Sequence, residues 1–174
     1  MSASNILVIS DTHGNVEVIK QLLENYRGMV SAVVHLGDHA RDMLSFAKAD
    51  KDSDMYHIVN GNVETSGSVY NERVIEMAGK RLFITHGHPY DVKTSLDNLI
   101  YKAQELQVDA CLFGHTHVAL NLVEKGILFF NPGSPTYPRP GQDRGYGLLS
   151  ISEEGAIVGR LLEYRPATGD ISTL

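Results

Sequence analysis

Cysteine is almost missing from this 174-residue chain. Cys111 stands alone, so no internal disulfide can form. It lies in the apolar run Ala110-Cys-Leu-Phe113, where a buried and unreactive thiol is expected. Basic residues are in deficit, with 15 Lys and Arg against 21 Asp and Glu and a formal net charge of −6. That balance argues against a sequence-independent grip on DNA or RNA, which needs basic surface to displace counterions. It leaves open a small phosphorylated molecule held through metal. No apolar run is long enough to span a bilayer. The opening Met-Ser-Ala-Ser-Asn has neither the basic nor the apolar stretch of a signal peptide. A reducing cytoplasm, away from membranes, is the expected compartment. Gly-x-x-x-x-Gly-Lys is absent too, which excludes a nucleotide triphosphatase of that design. Neither a repeat nor a low-complexity stretch nor a composition break divides the chain, so one domain over 1–174 is expected.

What is present is a set of buried strands that end alike. Asn5-Ile-Leu-Val-Ile9 reads as a strand covered on both faces. It breaks into the polar loop Ser10-Asp-Thr-His-Gly-Asn15 at the end where open α/β sheets place their ligands. Asp11 and His13, two residues apart, can project into one crevice. Helical spacing over Asn15–Arg27 leads to a second strand, Ser31–Leu36, followed at once by Gly37-Asp38-His39. Strand, helix, strand implies a parallel pair, so Asp38 should emerge beside Asp11. A short helix over Arg41–Ala49 precedes a third strand, Met55–Val59, which runs into Asn60-Gly-Asn-Val-Glu64. Val69–Met77 and Lys80–Thr85 read as an antiparallel hairpin through Ala78-Gly79, ending in His86-Gly-His88-Pro89. An amphipathic helix over Thr94–Gln107, capped by Ser95 or Thr94, leads to the strand Asp109–Phe113 and to Gly114-His-Thr-His117.

The rest is β-rich: Val118–Glu124, Ile127–Phe130, Tyr146–Ile151 and Ile157–Tyr164. Between the second and third of these runs Asn131–Gly141, which holds four of the six prolines and reads as a fixed surface feature. Arg165–Leu174 is expected to be a loosely held tail.

Five strand ends thus deliver Asp11, His13, Asp38, Asn62, His86, His115 and His117. Carboxylate, amide oxygen and imidazole together suit divalent transition metals. Seven ligands are too many for one tetrahedral zinc. They suffice for two ions if one carboxylate bridges.

Asp11-x-His13, Gly37-Asp38, Gly61-Asn62, His86-Gly87 and Gly114-His115-x-His117, in that order, resemble the motif set of the calcineurin-like metallophosphoesterase superfamily. Size and the Asn131-Pro-Gly-Ser134 loop are similar to its small single-domain phosphodiesterase branch. The resemblance implies a four-layer α/β/β/α sandwich of two mixed sheets. It implies that Asp11, His13 and His117 hold a first metal, that Asn62, His86 and His115 hold a second, and that Asp38 bridges them. It implies hydrolysis of phosphodiesters, and of monoesters as an added capacity, with a dimetal-bound hydroxide as nucleophile. Manganese is the first expectation for the ion, with nickel, iron and zinc as the others.

Many members carry a histidine after the Asn of Gly-Asn; here Val63 stands there and cannot donate a proton. His39 is then a candidate acid, and His88, two residues past His86, a candidate catalytic or substrate contact. Arg139 could clamp a phosphate or merely brace its loop. His35 and His57 read as structural. The competing function is a catalytically weak or inactive scaffold on the same fold, which would typically have lost metal ligands. A nuclease fits poorly with the acidic balance. The expected partner is a small phosphorylated substrate, and a homo-oligomer is left open.

Overall fold

Hydrophobic runs bounded by polar, glycine-containing turns fold as their periodicity requires. The computed structural model describes residues 3–64 and 69–166. In chain order the strands are β1 (Ser4–Ile9), β2 (Ala32–His35), β3 (Tyr56–Ile58), β4 (Glu72–Met77), β5 (Lys80–Thr85) and β6 (Ala110–Leu112). They continue as β7 (Leu120–Glu124), β8 (Ile127–Asn131), β9 (Gly145–Ile151) and β10 (Ile157–Glu163). The helices are α1 (Val16–Asn25), α2 (Ala40–Ala49) and α3 (Asp97–Glu105).

The strands form two five-stranded sheets, ordered β10-β9-β1-β2-β3 and β4-β5-β6-β8-β7. Both are mixed. β1, β2 and β3 run parallel while β9 and β10 are antiparallel neighbours. β5, β6 and β8 run parallel between antiparallel β4 and β7.

Period-two alternation sorts the apolar side chains into three layers of core. Ile6, Val8, Val34, Leu82, Ile84, Ala110, Leu112 and Phe130 meet between the sheets. Leu7, Ile9 and Val33 point the other way, against Val18, Ile19 and Leu22 of α1 and Met43 of α2. Phe83, Cys111 and Phe129 face Leu99 and Ala103 of α3. The result is the expected helix–sheet–sheet–helix sandwich, and Cys111 is fully buried as expected. Its thiol pKa is pushed well up by burial.

Several elements are a residue or two shorter than expected, and the starts of β4, α3 and β7 shift later. β4 begins at Glu72 rather than Val69. The Asn60 side-chain amide donates to the Val69 carbonyl at 2.7 Å and to Asn71 Oδ1 at 3.2 Å, and Val59 bridges to Tyr70. Those bonds tie 69–71 to the first sheet instead of to β5. α3 is shorter than 94–107, because Asp91 turns left-handed (φ 51°) and the Thr94 amide closes a turn onto the Asp91 carbonyl at 2.9 Å. The N-cap falls on Leu96 without a side-chain capping bond, so neither Ser95 nor Thr94 takes the expected cap position. Ser95 Oγ only accepts from the Asp97 amide at 3.3 Å. β7 begins at Leu120, two residues later than expected. The hairpin turn is as expected: Ala78 (φ 48°) and Gly79 (φ 75°) both adopt the positive φ of a type I′ connection. Of the expected tail, 167–174 lie outside the described residues, and Arg165 pairs with Glu163 at 2.7 Å.

Candidate functional site

All five motif loops lie at the carboxyl ends of β1, β2, β3, β5 and β6, and the two sheets bring them to one edge of the sandwich. Backbone contacts hold the ring together. The Asp11 amide donates to the Gly37 carbonyl at 3.0 Å, and the Gly114 amide to the His86 carbonyl at 3.1 Å. Extended alternation does not aim the side chains. Asp11 (φ 56°), His13 (φ 48°), Asp38 (φ 55°), His115 (φ 67°) and His117 (φ 58°) all sit in the left-handed region. That conformation costs a non-glycine residue on the order of 1 kcal/mol each, which surrounding contacts must offset.

Two of the motif glycines are there for space. A β-carbon on Gly61 would lie 2.1 Å from Asp38 Oδ1 and 2.3 Å from the Asp38 amide nitrogen. One on Gly114 would lie 1.9 Å from Ser10 Oγ and 2.8 Å from Asp11 Oδ2. Neither neighbour can retreat, because both belong to the same crowded ring of loops.

Asp11, His13, Asp38 and His117 bring one ligand atom each to within 4.8 Å of one another. Asp11 is wholly buried. Its Oδ2 accepts from Ser10 Oγ at 2.6 Å and from the His115 amide at 3.1 Å, while its Oδ1 has no hydrogen-bond partner. His117 Nε2 lies 3.1 Å from that orphaned oxygen. The other nitrogen of the ring, Nδ1, donates to the Tyr137 carbonyl at 2.5 Å, so a neutral His117 turns a lone pair toward Asp11. Nε2 can then meet Oδ1 favourably only by taking a proton or sharing a cation. In keeping with this, the nearby Asp11 carboxylate raises the His117 pKa against the opposing effect of burial. Burial pushes the Asp11 carboxyl up, but His117, the neighbouring His86 and the Ser10 hydroxyl together hold it below its ordinary value.

A second cluster adjoins the first. His86 Nδ1 donates to the Leu36 carbonyl at 2.7 Å, leaving Nε2 bare. Around Nε2 lie Asn62 Oδ1 at 3.2 Å, His115 Nδ1 at 3.2 Å and Asp38 Oδ1 at 3.3 Å. Asp38 touches both clusters, since its Oδ2 lies 3.6 Å from His13 Nε2. Crowded imidazoles favour the neutral form. Burial and the neighbouring His86 push His115 down to about 4, and burial lowers His13 despite Asp38. Acceptors converging at these distances repel unless positive charge sits among them, so the donor set fits divalent cations.

The remaining candidates stand further out. The His88 ring lies 5.5 Å from that of His86 and 6.0 Å from that of His115, and its Nδ1 is buried without a partner. His39 is 45% exposed, with its ring 5.9 Å from His13. Arg139 Nε donates to the Thr116 carbonyl at 3.1 Å, bracing the loop between His115 and His117. Val63 offers only its backbone, donating to Asp38 Oδ1 at 3.4 Å. His35 is structural, bonded to Thr12 Oγ1 at 3.0 Å and to the Gly37 amide at 3.3 Å. His57 lies half-buried in β3.

Several supporting residues were not singled out from the sequence. Ser134 Oγ donates to the Asp11 carbonyl at 2.9 Å, and the Asn131 amide donates to the Gly114 carbonyl at 2.9 Å. The Tyr137 ring stands 5.4 Å from His13. Glu64 accepts backbone amides from two loops. Their partners lie far away in sequence, and only the Asn-Pro-Gly-Ser run stood out beforehand.

Known proteins resemble this chain in sequence and in fold. The chain is 32% identical over 154 residues to the probable metallophosphoesterase YsnB of Bacillus subtilis, covering 88% of each. It is 37% identical over 70 residues to phosphodiesterase YfcE of Escherichia coli, covering 40% of this chain and 34% of that one. Among solved structures, a predicted phosphoesterase from Streptococcus pneumoniae superposes with a TM-score of 0.74 at 27% identity, covering 94% of this chain and 99% of that one. Vacuolar protein sorting 29 from Cryptosporidium parvum shares the fold with a TM-score of 0.72 at 16% identity, covering 94% and 100%. The family profile of the calcineurin-like phosphoesterase superfamily domain matches residues 5–154, which span every loop of the site. By its fold, its motif order and these matches, the chain belongs to the calcineurin-like phosphoesterase superfamily.

Proposed function

We propose that this protein is a metal-dependent phosphodiesterase working with two divalent ions, and that residues 1–174 act as one domain. Asp11, His13 and His117 hold the first ion, Asn62, His86 and His115 the second, and Asp38 lies between them. The observation that carries this reading is the buried, partnerless Asp11 Oδ1 facing His117 Nε2 at 3.1 Å. When bound, such ions offset charge on the phosphoryl oxygens and acidify water enough to supply hydroxide near neutral pH.

The chain's own part is orientation. The Leu36 and Tyr137 carbonyls set the tautomers of His86 and His117, and Ser10 holds Asp11 by its second oxygen. No proton donor follows Asn62, so departure of the alcohol depends on its own acidity or on His39 or His88. Diesters with acidic leaving groups are the best substrates, and monoesters are turned over as well. Manganese is the ion we assign, with nickel, iron and zinc as substitutes decided by availability. A small phosphorylated molecule is the partner and the cytoplasm the compartment. Among the described residues no helix is long and apolar enough to cross a membrane.

The likeness to vacuolar protein sorting 29 supports a second reading, a scaffold on the same fold. Retention of all seven candidate ligands favours the enzyme. Metal-depleted protein assayed on bis-p-nitrophenyl phosphate and p-nitrophenyl phosphate, with and without Mn2+, separates the two readings. Diester turnover that requires metal and disappears in Asp38→Asn supports the hydrolase. Silence on both substrates with metal bound favours the scaffold.

A further inference from the structure

The segment Gly61–Glu64 closes over Gly37–Ala40 through Gly61, Val63 and Glu64. Gly61 packs so tightly that a β-carbon there would strike Asp38, and the Val63 amide donates to Asp38 Oδ1 at 3.4 Å. Glu64 completes the closure. Its Oε1 accepts from the amides of His39 and Ala40, the latter at 2.8 Å, and its Oε2 accepts from the Gly61 amide. One carboxylate therefore takes three main-chain donors from two loops, each loop adjoining a candidate metal ligand.

Helix α2 otherwise lacks a cap. His39 occupies the N-cap position in left-handed conformation (φ 75°) and makes no side-chain capping bond. The usual device is a short side chain at that position satisfying its own helix's first amides. Here the cap comes from 25 residues away and is anionic, which complements the positive end of the helix. The same carboxylate that starts α2 also pins the turn that presents Asn62.

We infer that Glu64 is a positioning residue for the dimetal centre, setting the separation between the Asp38 loop and the Asn62 loop and so the second metal position. This rests on the two-ion reading above. It also explains why the position calls for a carboxylate with a two-carbon stem. Gln keeps the length but must turn an amide NH2 toward at least one backbone donor, and Asp falls short.

The test is a two-step Mn2+ titration by calorimetry on metal-depleted wild type, Glu64→Gln and Glu64→Ala, with amide exchange and thermal melting alongside. Glu24→Gln, an exposed site on α1, controls for loss of one negative charge. Glu64→Gln is expected to weaken one of the two uptake steps by about tenfold, as loss of a ligand's supporting partner typically does. The other step should hold, and the amides of Ala40 and Gly61 should exchange faster. Unchanged stepwise affinities despite faster exchange overturn the inference. So does equal weakening of both steps with a lowered melting temperature, which marks a general structural role, or a matching change in Glu24→Gln. Wild type that takes up none of Mn2+, Ni2+, Fe2+ and Zn2+ defeats the two-ion reading. Glu64 is then judged on exchange alone, where unaltered protection of Ala40 and Gly61 overturns the clamp and lost protection upholds it.

Discussion

His117 turns Nε2 toward Asp11 Oδ1 at 3.1 Å while its Nδ1 is committed to the Tyr137 carbonyl at 2.5 Å. The two nitrogens thus have different tasks, one fixing the ring and the other facing the buried oxygen. The interaction with Asp11 keeps the His117 pKa above its ordinary value. In the metal-free protein, then, His117 shares a proton with Asp11 to a higher pH than a free imidazole would hold it. A cation must displace that proton before it can use Nε2.

Metal uptake should accordingly release protons, and affinity should fall as pH drops. Calorimetry of Mn2+ binding in two buffers of different ionisation enthalpy reads the release directly. Identical heats in the two buffers would remove His117 from the ligand set, and His117→Ala should reduce the buffer dependence.

The absence of a proton donor at Val63 makes rate sensitive to the leaving group. Across aryl and alkyl phosphodiesters, kcat/KM should fall steeply as the alcohol's pKa rises. Positioned general acids contribute about 10² to 10⁴-fold, so their lack is readily measured. If His39 supplies the proton, His39→Ala steepens the slope; equal slopes eliminate it and turn attention to His88, whose Nδ1 is buried without a partner.

Gly114→Ala tests the tightness of the ring of loops. Its new methyl would lie 1.9 Å from Ser10 Oγ, forcing Ser10, Asp11 or the His115 loop to move. Activity should drop by about 10²-fold or more, the scale of loss for a displacement of roughly an ångström, while the fold persists. Near-wild-type turnover with normal metal content would show that the loops are looser than their packing implies.

His35 should make stability pH-dependent. Burial, the largest influence on it, lowers its pKa from 6.5 to about 4. The unfolded chain therefore takes up a proton as pH falls below 6.5 while the folded protein does not. Stability is full above that range and is lost as pH drops toward 4, by up to roughly 3 kcal/mol from the size of the shift. Urea midpoints of metal-free wild type and His35→Gln across that interval check the sign. A pH slope unaltered by the substitution would assign the effect elsewhere.

The strands and the seven candidate ligands were legible because both are local signals. Runs such as Ile6-Leu-Val-Ile9 can only be buried, and a polar loop that follows such a strand must emerge at its end. The repeated pairing of glycine with Asp38, Asn62 and His115 was legible too, although its cause was not. Gly61 and Gly114 are small because Asp38 and Ser10 press against them, and neither neighbour is near in sequence. Asp11 and His13 do share one crevice, but left-handed turns rather than their two-residue spacing aim them there. Such strain survives only where tertiary contacts over-determine it. β4 lost its first residues for a similar reason, as Asn60 bound 69–71 from another sheet.

Burial pattern, strand order along the chain and the identity of the polar residues at strand ends belong to the amino-acid sequence, because each depends on side-chain chemistry repeated over a few neighbouring residues. Which lone pairs face one another, which oxygen of Asp11 is left without a donor, and which carboxylate caps α2 were decided by the fold. Those features depend on main-chain carbonyls and amides, identical in every residue, being brought together from positions 20 to 104 residues apart.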